Sequence, residues 1–531
     1  MKLMSRLLIP GLAILSLSCV FVSTHVRSLD PNRLTAARPY ANRLVPATTA
    51  RIYSATKAHL IDGRMVVFPA GFLLQGRTMV GAGKCYDLTR ADWASVGALA
   101  LDSVACLEQY TREFQPLPTL AMAPVAGYWI FTGAVALFKM IFGSCPTVYA
   151  FDGEGYHLEA EEFSYSIAPK CEGNDLDRLD SGRVLGGEYR LKVTNEALET
   201  HYINQLRLVT ADHPDRYQAF PTDRGDILLF GRATPISSAR SRSGQDVLTQ
   251  IANRDGHGFE SDSAAVRALS RSPARDWIDI SVARPARAAK LRLALRFRNT
   301  QLSTLMLYEM MLKSQGIKAL DWTGIRGNDL AHVLRLRNWF TRNFGLHLKL
   351  KGTKGYREVA RVLDTGPICW HETAVELAVP AADTIRLRLD FLPDYVVIDW
   401  VSASFDTGAD CRVAELDCAE IECPDGMQPE PARAALSRVD RQYLITSPGQ
   451  RYILKFRPPP VPEGMRRDYF VKSRGYYLEW LRRGWFEAPV ASFEPGDSVI
   501  VAAARRWQVE KPDIERRFAE FRIPVREQEE R

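Results

Sequence analysis

Alternation of apolar and polar residues with a period of two recurs along the second half of the chain. Tyr189, Leu191 and Val193 alternate with Arg190, Lys192 and Thr194, and Ile278, Ile280 and Val282 with Asp279 and Ser281. Leu291, Leu293, Leu295 and Phe297 lie opposite Lys290, Arg292, Arg296 and Arg298, and Ile385, Leu387, Leu389 and Phe391 repeat the device against Arg386, Arg388 and Asp390. Successive side chains of a strand point to opposite faces, so each run predicts a half-buried strand. The last two runs have one core face and one charged, largely basic face. Val396–Val401 is apolar nearly throughout and predicts a strand covered on both sides.

Turn chemistry adds hairpins. In residues 144–163, Asp152-Gly153 separates Val148-Tyr149-Phe151 from Tyr156-Leu158, and Asp-Gly tolerates the positive φ of a tight reversal. Asp62-Gly63 does the same between His59 and Phe68. Thr78–Tyr86 reads as a strand and a bend, with Gly81-Ala82-Gly83 as a bulge, because a dinucleotide loop needs a third Gly and a following helix. Residues 232–275, rich in Ser, Arg, Asp and Gly, read as a surface excursion with one short helix.

Three stretches break the β pattern. Leu7–Val22 is an apolar segment behind Lys2 and Arg6, the form of an export signal. Residues 117–143 hold only Lys139 as a charge after Val125, close to the ~20 apolar residues that a bilayer span needs. Asn328–Phe344 has apolar residues at helical spacing interleaved with Arg335, Arg337 and Arg342. Such a helix either covers an open sheet or lies on an anionic membrane surface.

These elements predict a mainly β chain with a small N-terminal β-domain, a membrane-type helix and a β-sandwich or jelly-roll region with inserted helices. The expected boundaries are a signal or lipobox-like segment at 1–25, a tether at 26–50, a small β-domain at 51–115 and the apolar helix at 117–143. A β-rich domain at 144–275, a sandwich at 276–410, and a closing region at 411–531 follow. The last holds a Cys loop, a Pro-rich connector, an aromatic segment and a charged tail. Within it, the dense aromatics around Trp480 and Trp485 read as a helix packed back on the sandwich or as a recognition surface.

Composition narrows the function classes. The 46% hydrophobic and 25% charged content is that of a globular protein. A net charge of +7 suits an acidic surface such as lipid headgroups, but no block of Lys/Arg tracks a nucleic-acid backbone. Among nine cysteines, Cys19 follows a lipobox-like Leu15-Ser16-Leu17-Ser18 and is the lipidation candidate. Two others precede the apolar helix, Cys85 and Cys106, and six follow it: Cys145, Cys171, Cys369, Cys411, Cys418 and Cys423. Even numbers on each side are expected of disulfides, with Cys145–Cys171 and a pair among Cys411, Cys418 and Cys423 as local candidates. A single crossing at 117–143 would return the later cysteines to the cytoplasm, where disulfides do not persist. The two expectations exclude each other unless the helix only dips into the membrane.

Catalytic signatures are missing. There is no G-x-S-x-G elbow and no phosphate loop. His371-Glu372-Thr373-Ala374-Val375 has Val where a zinc-protease helix needs its second His. The Cys411–Cys423 spacing fits no zinc site, so neither metal nor cofactor is expected. Asp152, Glu159 and Glu161, with Glu162, are the densest carboxylates near the hairpin. They are candidates for binding, as general acid/base partners or as oxygen ligands for calcium, against a solvated hairpin edge.

The combination of Ser144-Cys145-Pro146-Thr147-Val148-Tyr149, Asp152-Gly153, Glu159-Ala160-Glu161, Asp212-His213-Pro214 and Gly475-Tyr476-Tyr477-Leu478-Glu479-Trp480 resembles exported, lipoprotein-like proteins of bacteria. In these an apolar segment runs into an S-C-P-x-V-Y-x-x-D-G hairpin. The resemblance spans about residues 50–490 and brings no activity with it. Residues 276–405 are similar in pattern to galactose-binding-type jelly rolls, a likeness of fold that does not establish sugar binding. The expected role is a non-enzymatic scaffold or binding module, membrane-anchored on the periplasmic side of the bacterial envelope, with a glycan or another envelope protein as partner. The alternatives are an envelope hydrolase using the acidic hairpin and membrane-surface binding through Arg335, Arg337 and Arg342.

Overall fold

The computed structural model describes residues 22–29, 49–60, 64–86, 93–114 and 146–521. Within the last range 165, 168–170, 320–321, 324–325, 327–328, 364, 409–410, 425–426, 441, 447, 481–484, 486–487, 489 and 492 are excepted. The chain forms two compact units. One comprises Met1–Leu137, Gln315–Val333 and Leu481–Ala491, the other Phe138–Ser314, Leu334–Trp480 and Ser492–Arg531.

The first unit contains one antiparallel sheet of eight strands: β1 (Val22–Leu29), β2 (Thr49–Ile52), β3 (Thr56–Leu60), β4 (Met65–Phe68), β5 (Phe72–Gln75), β6 (Thr78–Tyr86), β7 (Trp93–Ala100) and β8 (Val104–Phe114). Their order is β1-β8-β3-β4-β6-β5-β2, with β7 on the other side of β6. The core is built by Ala58, Leu60, Val66, Phe68, Phe72, Leu74, Met79 and Leu107. β6 runs continuously through Gly81-Ala82-Gly83, and a register shift between Val80 and Gly83 gives the expected bulge. The expected tether begins as strand, because Val22–Leu29 pairs residue by residue with β8. Backbone pairing there needs no apolar alternation, which is why the sequence pattern missed it.

The second unit is built from several antiparallel sheets. β9 (Thr147–Phe151) and β10 (Tyr156–Glu161) form the hairpin around Gly153, at φ 112°. They join β12 (Val184–Leu185), β13 (Glu188–Thr194), β26 (Glu420–Glu422) and β28 (Arg451–Phe456). A second sheet holds β11 (Gly173–Leu179), β14 (Glu199–Pro214), β25 (Arg412–Leu416), β27 (Leu444–Thr446) and β29 (Met465–Glu479). β15 (Gln218–Pro221) and β16 (Ile227–Phe230) make a separate hairpin.

The sandwich region has a five-stranded sheet, β17 (Ile236–Ser241), β18 (Asp276–Ala283), β23 (Thr384–Phe391), β20 (Leu346–Gly352) and β21 (Gly355–Val362), in that spatial order. Its three-stranded sheet is β22 (His371–Ala378), β19 (Lys290–Asn299) and β24 (Val396–Ser404). The alternating apolar residues are the buried ones, with Ile278, Ile280, Val282, Leu387 and Leu389 at most 1% exposed. The helices are α1 (Ser263–Leu269), α2 (Gln301–Thr304, continued by a wider π turn to Leu312), α3 (Leu330–Asn343), α4 (Pro429–Ser437) and α5 (Asp497–Phe521).

Two expectations change. Ile236–Ser241, polar enough to read as surface excursion, is an edge strand held by backbone pairing to β18. The aromatic segment before Trp480 is the end of β29 rather than a helix, since Tyr476, Tyr477 and Leu478 pair with Tyr202, His201 and Thr200 of β14. Aromatic residues pack well on a pleated, half-buried surface, and sixteen-residue β14 offers the length to pair with. Among the described residues no helix is long and apolar enough to cross a membrane. The stretch 117–143 and Cys19 lie outside the described residues.

No disulfide forms among the described cysteines: Cys85, Cys171, Cys369, Cys411, Cys418 and Cys423 are free thiols. Cys145 and the Cys106 side chain lie outside the description. In the sheet, Cys106 pairs with His59, His59 with Met65, and Met65 with Tyr86 beside Cys85. Three strand spacings, roughly 14 Å, exceed the reach of a Cys85–Cys106 disulfide. The Cys418 thiol donates instead to the Glu420 carbonyl at 2.9 Å.

Gly475 sits where β29 passes closest to its neighbours. A Cβ there would stand 2.5 Å from the Tyr202 carbonyl oxygen and 2.7 Å from the Phe163 ring. Gly475→Ala is expected to destabilise the second unit by about 1–3 kcal/mol through overpacking, read as a lower denaturation midpoint. Gly155→Ala, with open space around it, is expected to leave that midpoint unchanged.

Candidate functional site

The carboxylates of the central hairpin turn inward. β10 pairs Leu158 with Tyr149 but Ala160 with Val148, so Glu159 is an extra, bulged residue. The bulge breaks the period-two alternation, and Glu159, Ala160 and Glu161 are all buried in succession. Glu159 accepts hydrogen bonds from the Asp180 and Ser181 amides at 2.9 and 2.7 Å. Burial raises its pKa, partly offset by those donors. Glu161 accepts from the Ile368 and Cys369 amides at 2.8 and 2.9 Å. Hydrogen bonds to a charged group contribute ~1.5–3 kcal/mol each, so Glu161 clamps the turn 366–369 that enters β22. Gly366 lies so close that any Cβ would overlap the Glu161 carboxylate.

The next residues form a tight corner. Glu162 is bonded to the Ser473 hydroxyl, and buried Phe163 takes φ 40°, a left-handed value rare outside glycine. Asp175 on β11 holds the Phe163 amide at 3.1 Å. The carboxylate oxygens of Glu162, Asp175 and Asp177 lie within 4.8 Å of one another. Asp177 binds His371 Nδ1 at 2.6 Å. Burial works against His371 protonation, yet Asp177, Asp175 and Asp223 together raise its pKa. Burial and the same acidic surroundings push the Cys369 thiol well above its ordinary range.

One residue further along β11 and β22 lies a buried ion network. Arg178 donates to Glu372 at 2.8 Å and approaches Asp180 at 2.8 Å and Asp468 at 3.4 Å. Arg254 reaches Glu372 at 3.2 Å and stacks over Trp400, 4.1 Å from the ring centroid. His213 Nε2 meets Asp468 at 3.0 Å, and the Ala219 amide donates to the same oxygen at 2.7 Å. Although burial alone would raise it, His213, Arg178 and the Ala219 amide hold the Asp468 pKa down at about 2. His213 moves the other way: burial lowers its pKa, but Asp468 and the Pro214 carbonyl raise it overall.

The structure thus brings Glu159 and Glu161 into the interior, while Asp152 stays in the turn. Asp152 accepts from the Glu154 and Gly155 amides, which lower its pKa to about 2, and pairs with His157. These carboxylates each bind two backbone amides. Trp480 and Trp485 are each 2% exposed, so neither presents a ring to a ligand; the Trp480 indole donates to Thr200. On α3, Arg335 and Arg342 are exposed and Arg337 half-buried, but Leu336, Trp339 and Phe340 are buried, with Trp339 against Phe493. The apolar face that a membrane helix would insert is used inside the protein.

The open chemistry lies on the outer face of the five-stranded sheet. Arg388 is held between the rings of Trp277 and Tyr356, 4.2 Å from each centroid, and binds Asp279 through two bonds of 2.7 and 2.8 Å. Cross-strand pairing aligns Arg240, Asp279, Arg388, Lys349 and Glu358 in one row. Leu387 pairs with Leu350, which sets Arg386 and Lys351 side by side on the outer face. Arg240, Lys351 and Arg386 are exposed and have no ion-pair partner among the described residues. Like charges abreast on neighbouring strands repel. The alternation at Arg386 and Arg388 marked it in the sequence. The roles of Trp277 and Tyr356 were not legible, because they arise from pairing across the sheet.

Two outcomes test the interior. Glu161→Ala is expected to release the 366–369 turn, so that Cys369, 8% exposed in the native chain, reacts with a thiol reagent at least tenfold faster. For the His213–Asp468 pair, the depressed Asp468 contributes stability above its unfolded value near ~3.9, lost as pH falls through about 2. The raised His213 contributes stability below ~6.5, lost as pH rises through its folded value. His201, pulled down to about 3 by burial, has the opposite slope, so the comparison must be pairwise. The gap in unfolding free energy between the parent and His213→Gln, read from denaturant titrations, is expected to be largest between about pH 4 and 6.5, at about 2 kcal/mol, and to narrow above it.

No family model and no curated protein matches the chain. Solved structures that align with it include the family 31 alpha-xylosidase of Xanthomonas citri, at 8% identity and a TM-score of 0.14, covering 80% of this chain. The chain spans 38% of that enzyme. A structure of infectious bursal disease virus, Gx strain, aligns at 11% identity and a TM-score of 0.13, over 94% of this chain and 91% of the viral one. Neither likeness bears on fold or function at such scores.

Proposed function

We propose that this chain is a non-enzymatic binding module of the bacterial cell envelope, membrane-anchored, that engages acidic glycans through the outer face of its five-stranded sheet. The observation that carries the reading is Arg388 fixed between Trp277 and Tyr356, beside exposed Arg386 and Lys351 that lack ion-pair partners among the described residues. The ring edges of Trp277 and Tyr356 suit the apolar patches of sugar rings, and the cations suit their carboxylates or phosphates. A five-stranded sheet with a three-stranded companion agrees with the jelly roll that the sequence pattern resembles.

The envelope location rests on the apolar segments at 7–22 and 117–143. Glu159 and Glu161 each accept from two backbone amides, which favours the binding reading over a hydrolase that would use them.

Polygalacturonate and dextran separate the reading from its rivals in a co-sedimentation or calorimetric assay. Binding is expected for the acidic polymer, weakening with added salt, and none for dextran. The Lys351→Ala/Arg386→Ala variant should bind at least tenfold more weakly, and Trp277→Ala should weaken binding at unchanged charge. Equal affinity of parent and double variant, or no binding to polygalacturonate at low salt, would overturn the proposal.

A further inference from the structure

The outer face of the five-stranded sheet is not uniform. Cross-strand pairing divides it into rows, in which neighbours stand one strand spacing, ~4.8 Å, apart. In the row of Arg388 the central cations are answered by acids: Arg388 binds Asp279, and Lys349 donates to Asp390 at 2.7 Å. The adjacent row, two residues along each strand, holds Ser238, Ser281, Arg386, Lys351 and Tyr356. It contains no carboxylate. The Tyr356 hydroxyl is engaged by Asp279, which leaves Ser281, Arg386 and Lys351 abreast on β18, β23 and β20. Ser281 is half-buried, and Arg386 and Lys351 are exposed. Arg386 thus has a hydrogen-bond donor one strand spacing away on either side. Beyond the row Ala283 pairs with Thr384, two small exposed residues.

We infer that Ser281, Arg386 and Lys351 seat a phosphomonoester group carried by the glycan, a narrowing that rests on the acidic-glycan reading above. A phosphomonoester presents three strong acceptor oxygens and about −1.5 to −2 charges near neutral pH. A guanidinium takes two of those oxygens side by side. The Lys351 ammonium then answers the second charge, and the Ser281 hydroxyl donates to the third oxygen. A carboxylate has two oxygens and one charge, which Arg386 satisfies without Ser281. Arg388, two residues away, does not compete, because Asp279 already holds it through two bonds. A lipid headgroup carries the same phosphoryl chemistry. Among the described residues, however, none of the exposed large hydrophobic side chains lies on this face, so nothing here would enter a bilayer. A sugar-borne phosphate fits, with the ring edges of Trp277 and Tyr356 beside it.

Phosphorylated dextran, dextran sulfate and polygalacturonate of similar charge density test this by calorimetry on the full-length chain in a non-ionic detergent. Phosphorylated dextran is expected to bind most tightly. Its affinity should rise about threefold from about pH 5 to 7.5, across the second phosphate ionisation near ~6. Dextran sulfate keeps its charge over that range, so it controls for titration of the protein and should show no such rise. Ser281→Ala should weaken phosphorylated dextran about tenfold, the contribution of one hydrogen bond to a charged group, and leave polygalacturonate unchanged. Ser281→Thr keeps the hydroxyl and should bind like the parent. Phosphorylated dextran held no more tightly than polygalacturonate, or equally by parent and Ser281→Ala, would overturn the inference while the acidic-glycan reading stands. Absence of binding to all three polymers would remove both. Binding to vesicles containing phosphatidic acid, without binding to phosphorylated dextran, would assign the phosphoryl group to a lipid and overturn the inference as well.

Discussion

A buried guanidinium governs the second unit. Arg178 leaves β11 and finds Glu372 on β22, Asp468 on β29 and Asp180 just beyond its own strand, with Phe220 under its plane at 5.0 Å. A cation this far from water costs several kcal/mol unless its partners are placed closely. Removing Arg178 would leave the buried carboxylates of Glu372 and Asp468 without it. The network therefore dictates how β22 of the three-stranded sheet sits against β11 and β29, neighbours in another sheet, more stringently than apolar contact could. Hydrophobic packing tolerates sliding; a desolvated ion pair does not. Asp468 extends the constraint to β14 through His213 and to β15 through the Ala219 amide.

The hairpin carboxylates are a second instance of the same principle. Glu159, Glu161 and Asp175 each spend their lone pairs on amides of a neighbouring segment. Buried backbone donors outside regular structure must find partners, and here side chains supply them. Irregular turns at 180–181 and 366–369 become as fixed as strands. Such use of acids ties the buried charges to the turns around them. On the outside of the five-stranded sheet the same device appears in Arg388, which Asp279, Trp277 and Tyr356 hold in place.

The strands with strict alternation, around Ile278, Leu293 and Leu387, were legible from the sequence, because burial of one face is a local property of the pattern. So was the Asp152-Gly153 turn, whose conformation is set by two residues. What escaped depends on pairing partners distant in the chain. Val22–Leu29 and Ile236–Ser241 are strands by virtue of a neighbour's backbone, and the Tyr476–Leu478 segment was drawn into β29 by the length of β14. The inward turn of Glu159 and Glu161 follows from one bulged residue that no periodicity announces. Asp175, Asp177 and Arg178 looked like ordinary charge on a short strand; only the approach of β22, nearly two hundred residues later, gives them their partners. The aromatic cage of Arg388 likewise joins residues from three strands.

The single extra residue at Glu159 has a consequence for how this chain can vary. Substitutions along β10 change one side chain at a time, and the interior can absorb some of them. Loss of Glu159 would instead remove the bulge while leaving Ala160 and Glu161 opposite Val148 and Thr147. The amides of Asp180 and Ser181 would lose their acceptor, yet the clamp at Glu161 and the corner at Phe163 would stay in place. The bulge gives one turn an acceptor of its own without disturbing the pairing around it.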